Sequence, residues 1–272
     1  MAKTWFITGA SRGFGYLWAE AALERGDRVA ATARRVETLD GLAQRFNDAV
    51  LPITLDVTDR RACFAAVQQA QSAFGRLDVL VNNAGYGQFG AIEELSEAEA
   101  RDQIETNLFG ALWITQAALP IMRAQRAGHI LQVSSIGGVA AFPNIGIYHA
   151  SKWGLEGFSE ALSYEVAEFG IKVTLVEPSG FSTDWAGSSA KQATPIADYA
   201  PAHAAMAERR KQFTPGDPKG TVKAILKLVD SSDPPLRLLL GSAAVQIATM
   251  LYPQKLATWK AWEEVSKDAD KE

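Results

Sequence analysis

Across roughly the first 180 residues, short continuous apolar runs alternate with longer stretches of helical period. The runs are Thr4–Thr8, Arg28–Ala33, Val50–Asp56, Val79–Asn82, His129–Ser134 and Lys172–Glu177. Their apolar residues follow one another instead of alternating with polar ones, which is how strands covered on both faces of a parallel sheet read. Between them, helices are expected over Leu17–Arg25, over Asp59–Phe74 with a capping aspartate, and over Ser96–Arg126. The last opens with Ser96-Glu97-Ala98-Glu99, the spacing of a capping box. Pro120 lies inside it and predicts a kink or division there. Strict alternation of strand and helix predicts right-handed crossovers and an α/β fold, a doubly wound parallel sheet with helices on both faces. Neither a repeat nor a low-complexity linker divides the chain, so one domain over residues 1–272 is expected.

The pattern loosens after Pro178. Residues 180–218 are rich in Gly, Ser, Ala, Thr and Pro around one polar helical stretch, Pro201–Lys211. So long a loop region in a compact domain is usually functional, and a substrate lid is expected. A helix over Gly220–Val229 and a strand over Leu236–Leu240 follow. The tail, residues 243–272, predicts a helix over Val245–Val265 interrupted near Pro253. In it Trp259 and Trp262, three apart, are expected to bury together, sealing the core or covering a subunit interface.

Composition narrows the classes. The 272 residues are 47% hydrophobic and 21% charged, which excludes disorder as the main state. A net charge of -4 offers no overall field for nucleic acid or an anionic membrane. No apolar run approaches the roughly 20 residues of a membrane span. Met1-Ala2-Lys3-Thr4 leads straight into the first strand without an apolar leader. One cysteine, Cys63, allows no internal disulfide and fits a reducing compartment, so a cytoplasmic protein is expected. With only His129, His149 and His203 beside it, no metal site is expected.

Chemistry begins at the first strand–helix turn, Thr8-Gly9-Ala10-Ser11-Arg12-Gly13-Phe14-Gly15. Glycines there let backbone N–H groups and a helix N-terminus approach a pyrophosphate. Gly9-Ala10-Ser11-Arg12-Gly13 also fits the Gly-x-Ser-x-Gly elbow of hydrolases, with Ser11 as nucleophile. That elbow normally follows several strands and needs a later histidine, for which His203 is the sole candidate, so the dinucleotide reading is preferred. A NAD site places an acid at the end of the second strand. Here stand Arg34 and Arg35, whose guanidinium forks suit a 2′-phosphate, and Arg12 can reach the same group. NADP(H) is therefore the expected cofactor; the alternative is that Arg34 and Arg35 are solvated strand-end charges. Asp56 is read either as a partner of the adenine amine or as a helix cap.

Of six tyrosines only Tyr148 has a lysine four residues on, Lys152, on the same helical face. A nearby ammonium eases ionisation of a phenol and can hold a ribose hydroxyl. Ser135 closes the fifth strand at the edge where such sheets bind ligands, within reach of a carbonyl oxygen shared with Tyr148. His149 is adjacent to Tyr148 but about 100° away around the helix, which points it into packing or solvent.

Together, Thr8-Gly9-x-x-x-Gly13-x-Gly15, Asn82-Asn83-Ala84-Gly85, Asn107, Ser135 and Tyr148-x-x-x-Lys152 resemble the short-chain dehydrogenase/reductase family in order and spacing. The resemblance covers roughly residues 3–184 and the final strand. It implies a Rossmann-like domain of about seven parallel strands and hydride transfer between NAD(P)(H) and an alcohol–carbonyl pair. It implies that Tyr148 is the acid/base, Ser135 polarises the substrate oxygen, Lys152 lowers the Tyr148 pKa, and Asn107 holds a relay water. It also places Gly9, Ser11, Arg12, Gly13, Phe14, Gly15, Arg34, Arg35, Asp56, Val57, Asn83, Ala84 and Gly85 about the cofactor. Tyr148, Lys152, Pro178, Gly180, Phe181 and Thr183 join them, with Thr183 on the carboxamide. A homodimer or homotetramer is implied likewise. Two departures stand out: Ser179 occupies a position usually glycine, where a serine would force a different backbone angle if φ must be positive, and Phe14 replaces a small aliphatic residue.

The expected substrate wall is Gly87-Gln88-Phe89, Val139–Pro143, Ile145 and the lid from Phe181 to Lys211. Phe89, Phe142 and Trp185 suggest an apolar carbonyl compound, or equally loop-to-sheet packing. With Lys191 the only cation before Arg209, no anion clamp is evident. The leading expectation is an NADPH-dependent carbonyl reductase or alcohol dehydrogenase. The alternative is a non-catalytic NADP(H)-binding sensor, whose signature would be loss of Tyr148 or Lys152; both are present.

Overall fold

A computed structural model describes residues 2–187 and 189–270. Met1, Ser188, Lys271 and Glu272, which belong to the expected leaderless start, lid and tail, lie outside the described residues. Strand β1 (Thr4–Ile7) leads through the glycine turn into α1 (Gly13–Glu24), then β2 (Arg28–Ala33). Next come α2 (Asp40–Phe46), β3 (Val50–Thr54), α3 (Arg60–Phe74) and β4 (Val79–Asn82). A two-residue strand β5 (Gln88–Phe89) precedes α4 (Glu97–Ile104) and α5 (Gly110–Gln125). The alternation ends with β6 (Gly128–Val133), α6 (Gly146–Val166) and β7 (Ile171–Pro178). Then follow β8 (Lys191–Gln192), α7 (Ala200–Gln212), α8 (Thr221–Asp230), β9 (Arg237–Leu240), α9 (Ser242–Ala261) and α10 (Glu263–Asp268).

Seven strands form one sheet in the order β3-β2-β1-β4-β6-β7-β9, every pair parallel. Side chains of a strand alternate between faces, and both faces here are buried. Trp5 and Ile7 of β1, with Val79 and Val81 of β4, pack against Trp18, Leu23, Leu39 and Ile225 on one side. Phe6 and Leu80, between them in sequence, pack on the other side against Val67, Ile114, Met122 and Leu162. The Rossmann-like α/β architecture expected is the one observed. The strand order reverses between β1 and β4, and doubly wound sheets bind ligands outside the carboxyl ends at such a switch point.

The expected caps form. Asp59 accepts from the Ala62 N–H at 3.0 Å. Ser96 Oγ accepts from the Glu99 N–H at 3.3 Å while Glu99 returns a bond to the Ser96 N–H at 2.9 Å.

Neither proline divides its helix. Helix α5 runs on through Pro120, and the long stretch is divided instead at Glu105–Phe109, a π-helical turn. Helix α9 likewise continues through Pro253 and breaks only at Trp262. Both prolines are exposed, as is Thr249, four residues before Pro253, while Gln116, four before Pro120, is half-buried. Trp259 and Trp262 do not bury: they are 63% and 62% exposed. Helix α9 packs through Ala244, Ile247, Ala248 and Leu251, and among the described residues its last contact with the body is Lys255, which donates to the Val139 carbonyl at 3.2 Å.

The 180–218 region is more ordered than a loop. Strand β8 pairs in parallel with β5, and α7 matches the expected helix. The buried Glu94 carboxylate pins the region by accepting from the Ile196 N–H at 2.9 Å and from His203 at 2.8 Å. Among the described residues no helix is long and apolar enough to cross a membrane.

Candidate active site

The glycine turn is clamped from the neighbouring strand. Thr8 Oγ1 accepts from the N–H groups of Asn83 and Ala84 at 2.9 and 3.0 Å. The Asn83 amide donates to the carbonyls of Thr8 and Gly9 at 2.9 and 3.0 Å. Gly9 has φ +65°, and a Cβ there would lie 2.9 Å from the Ala84 backbone. A Cβ on Gly15 would meet the Gly9 carbonyl at 2.5 Å, so Gly15 serves by letting α1 close beneath the turn and does not itself line the cleft. Helix α1 has no side-chain cap and no acidic residue in its first turn, which leaves its N–H groups and dipole for an anion.

Phe14 stacks on Trp18, centroids 5.2 Å apart, and meets Phe181 edge-on at 5.3 Å, so it ties the turn to the start of the 180–218 region. The concern over Ser179 does not arise: its φ is not positive, and its N–H donates to the Leu240 carbonyl at 3.0 Å.

A cleft of about 1150 Å³ runs from this turn across the carboxyl ends of the strands. Single-ligand pockets are typically about 300–1,000 Å³, so this one has room for a dinucleotide and a substrate together. Gly9, Ser11, Arg12, Gly13, Phe14, Arg34, Asp56, Val57, Asn83, Ala84 and Gly85 line one part of it. Arg35 is exposed outside the cleft, so the expected pair contributes a single arginine, Arg34. Arg12 lines the cleft but is engaged with Ser189 at 2.5 Å and Asp184 at 3.6 Å. Asp56 accepts from the N–H and hydroxyl of Thr58 and is not the cap of α3, a task that falls to Asp59.

Ser135, Tyr148 and Lys152 meet in the same cleft with Pro178, Gly180, Phe181 and Thr183. The end of β6 delivers Ser135, and one face of α6 delivers Tyr148 and Lys152. The Ser135 oxygen accepts from the Gly137 N–H at 2.9 Å, which leaves its proton to donate. Lys152 is buried and donates to the Val133 carbonyl at 2.7 Å. Burial pushes the Lys152 ammonium down to about 8, with the nearby Glu156 carboxylate opposing.

Burial pushes the Tyr148 phenol up to about 12, opposed by the hydrogen bond to the Ser135 hydroxyl. The Lys152 nitrogen is drawn to Val133 and stands 5.9 Å from the Tyr148 ring centre. At neutral pH the phenol is therefore a proton donor.

Asn107 sits in the π-helical turn and does not line the cleft. Its amide donates to the Tyr86 carbonyl at 3.0 Å and to Ser151 at 3.1 Å, and its oxygen accepts from the Tyr86 N–H at 3.1 Å. It thereby fixes the segment after Asn83-Ala84-Gly85. His149 is packed, as expected: it meets the Gly137 carbonyl at 2.8 Å and accepts from the Phe142 N–H at 2.9 Å. Burial holds its pKa below the ordinary range, and it fixes the 137–142 wall while neutral. The hydrolase reading fails, because His129, His149 and His203 are committed to Thr174, Gly137 and Glu94, none beside Ser11.

Tyr86 and Asp102 line the cleft although neither was anticipated. Tyr86 lies under Lys191, 4.7 Å from its ring centre, and Lys191 bonds Asp102 at 3.2 Å. Arg210 of α7 lies over Phe89 at 5.9 Å, and Phe213 closes that side. Tyr86 directly follows the Asn83-Ala84-Gly85 motif, a signal that was available; Lys191 and Arg210 belong to the stretch from Phe181 to Lys211 already expected as substrate wall, and Phe213 to the 180–218 region. Trp185 packs against both Phe89 and Tyr148.

A family model described as short chain dehydrogenase matches residues 3–194. A protein of Botryotinia fuckeliana named oxidoreductase BOA17 is 43% identical over 270 residues, covering 98% of each chain. A Bacteroides thetaiotaomicron protein named 3-ketodihydrosphingosine reductase is 38% identical over 239 residues, covering 86% of each. The crystal structure of a short-chain dehydrogenase from Streptomyces avermitilis superposes with a TM-score of 0.92 at 41% identity, covering 98% of each chain.

Proposed function

The chain belongs to the short-chain dehydrogenase family of oxidoreductases, and from that premise we propose that it is an NADP(H)-dependent reductase of apolar ketones or aldehydes. The observation that carries this reading is the convergence of Ser135, Tyr148 and Lys152 in a cleft whose other end holds Arg34 and no acid at the end of β2.

The glycine turn fits a pyrophosphate: side chains are missing where backbone must approach, and the α1 N–H groups are uncapped. Arg34 would hold a 2′-phosphate, and Thr183 and Lys152 the nicotinamide end. Bound there, the cofactor supplies the hydride. The Ser135 hydroxyl and the Tyr148 phenol together grip the substrate carbonyl oxygen, as an oxyanion site aimed at developing charge. Tyr148, protonated at neutral pH, donates its proton to that oxygen, and the Lys152 ammonium stabilises the phenolate left behind. Phe89, Phe142, Ile145, Trp185 and Phe213 give the substrate end apolar walls. An apolar keto compound also agrees with the name of the Bacteroides relative. The reading extends to a homodimer or homotetramer, for which α6 offers exposed Trp153 and Tyr164.

The test is a titration with NADPH and, separately, NADH, following tryptophan emission, then a screen of ketones with the parent and Tyr148→Phe. NADPH should bind markedly tighter, and the variant should lose turnover by about a thousandfold while keeping NADPH affinity within several-fold. Equal binding of both would retire the NADP assignment, and normal turnover by Tyr148→Phe would overturn the mechanism.

A further inference from the structure

Behind the catalytic residues lies a second set of charges that the hydride transfer does not use. Glu156 follows Lys152 by one turn of α6 and is 5% exposed; Glu177, near the end of β7, is 2% exposed. Arg237 of β9 bridges them, with Nε 3.0 Å from Glu156 and 3.5 Å from Glu177. Its other arm reaches Glu160 at 2.7 Å. Gly138 lets the two walls close: a Cβ there would lie 2.5 Å from Ser134 Oγ and 3.0 Å from Glu156 Oε1. Glu156 thus touches the strand end that carries Ser135 and the helix turn that carries Lys152.

Two carboxylates and one guanidinium in a buried space cannot both stay ionised cheaply. Burial and the neighbouring Glu156 carboxylate push Glu177 well above the ordinary carboxylate range. Glu156 Oε1 and Glu177 Oε1 are both buried, and neither has a donor in good hydrogen-bond geometry from another group. A proton resting on Glu177 and offered to Glu156 resolves both facts. Burial pushes the Glu156 carboxyl up as well, and the Arg237 guanidinium 3.0 Å away is the group placed to hold its charge against that cost.

We propose that Glu156 is a positioning residue for the reaction, the buried counter-charge that keeps the Lys152 ammonium protonated beneath the active site. It acts through Lys152 and touches no reacting atom. The assignment rests on the reductase reading above for its purpose, though not for its test. The other charged or titratable groups facing this cluster are Glu160 on α6 and, from α9, Tyr252, whose phenol burial pushes up. Lys255 of α9 lies over the Trp153 and Tyr252 rings and donates to the Val139 carbonyl at 3.2 Å. Among the described residues, Glu156 is the carboxylate whose charge supports the Lys152 ammonium.

The experiment is a carbon NMR titration of protein labelled at the lysine ε-carbon, with the Lys152 signal assigned by its loss in Lys152→Met. In the parent chain Lys152 should titrate near 8. Glu156→Gln should move that midpoint down by about one pH unit, whereas Glu156→Asp should hold it within about half a unit of the parent. Should the glutamine variant not fold, Glu156→Met, apolar and of similar length, replaces it. An unchanged midpoint in a folded Glu156→Gln or Glu156→Met protein overturns the proposal, as does an equal drop in Glu156→Asp. The titration reads the charge of Lys152 without cofactor or turnover. A failed ketone screen therefore bears on the reductase reading, and a static midpoint bears on Glu156 alone.

Discussion

The indole of Trp185 lies against the Tyr148 ring, with centroids 4.9 Å apart and planes at 58°. Phe89 meets the same indole from β5 at 5.6 Å. Gly87 admits it, since a Cβ there would come within 2.7 Å of the indole. Trp185 thus covers the Tyr148 ring, and it contributes to the burial that keeps the phenol neutral. Trp185→Ala should therefore raise KM for an apolar ketone by about tenfold, the loss of roughly 1–2 kcal/mol of aromatic contact. NADPH affinity should change little. Steady-state kinetics against a binding titration separate the two effects, and an unaltered KM would remove Trp185 from the substrate wall.

Arg34 and Arg12 reach the adenosine end of the cleft differently. Arg12 is tethered to Ser189 and Asp184, whereas Arg34 stands at the end of β2, where a NAD site would carry an acid. Charge-assisted bonds to a 2′-phosphate are worth about 1.5–3 kcal/mol. Arg34→Ala should weaken NADPH by about tenfold or more and leave NADH unchanged. Equal losses for the two cofactors would mean that Arg34 reads something other than the 2′-phosphate.

The pH profile of reduction should report Lys152 before Tyr148. With its pKa pushed up to about 12, the phenol stays a proton donor through the usable range. Lys152, pushed down to about 8, loses its charge first. The kcat/KM for ketone reduction should thus fall above about pH 8. A guanidinium stays charged across this range. Lys152→Arg should therefore react more slowly yet with a flat profile to about pH 9. Persistence of the fall in that variant would assign it to another group.

The strands of the sheet were legible because both of its faces are covered, which makes each strand a continuous apolar run, as in Trp5-Phe6-Ile7. The candidate site was legible because Tyr148 and Lys152 share one face of α6 at a spacing of four. Pro120 and Pro253 misled because the cost of a helical proline depends on whether solvent can reach the carbonyl it frees, which residue type does not disclose. Trp259 and Trp262 misled because burial needs a facing element, and α9 outruns the body of the protein. Nothing local marks the two-residue pairing of β5 with β8, or the meeting of Glu156, Glu177 and Arg237. Those contacts join α6, β7 and β9 across as many as 81 positions of chain.

His129 of β6 gives a prediction about stability. It is buried at 5% exposure, and its Nε2 lies 3.0 Å from Thr174 Oγ1. That hydroxyl spends its proton on the Pro235 carbonyl at 2.8 Å, so it accepts from an Nε2–H. Nδ1 is then bare and buried without a partner. Protonating it would place a charge in the core, and Lys172 and Lys3 repel that charge; the pKa is pushed down to about 4. The folded value lies below the unfolded one of about 6.5, so between these values the unfolded chain binds more protons. Stability is complete above about pH 6.5 and is lost as pH falls toward about 4, by about 1.4 kcal/mol per pH unit. Urea unfolding from pH 7 to pH 5 should show this slope in the parent. It should be shallower by roughly that amount in His129→Gln, which has nothing to protonate. Carboxylates that titrate in both proteins cancel in the difference. Parallel curves for the two would show that His129 takes up its proton equally in the folded and unfolded chain, and that the core admits the charge.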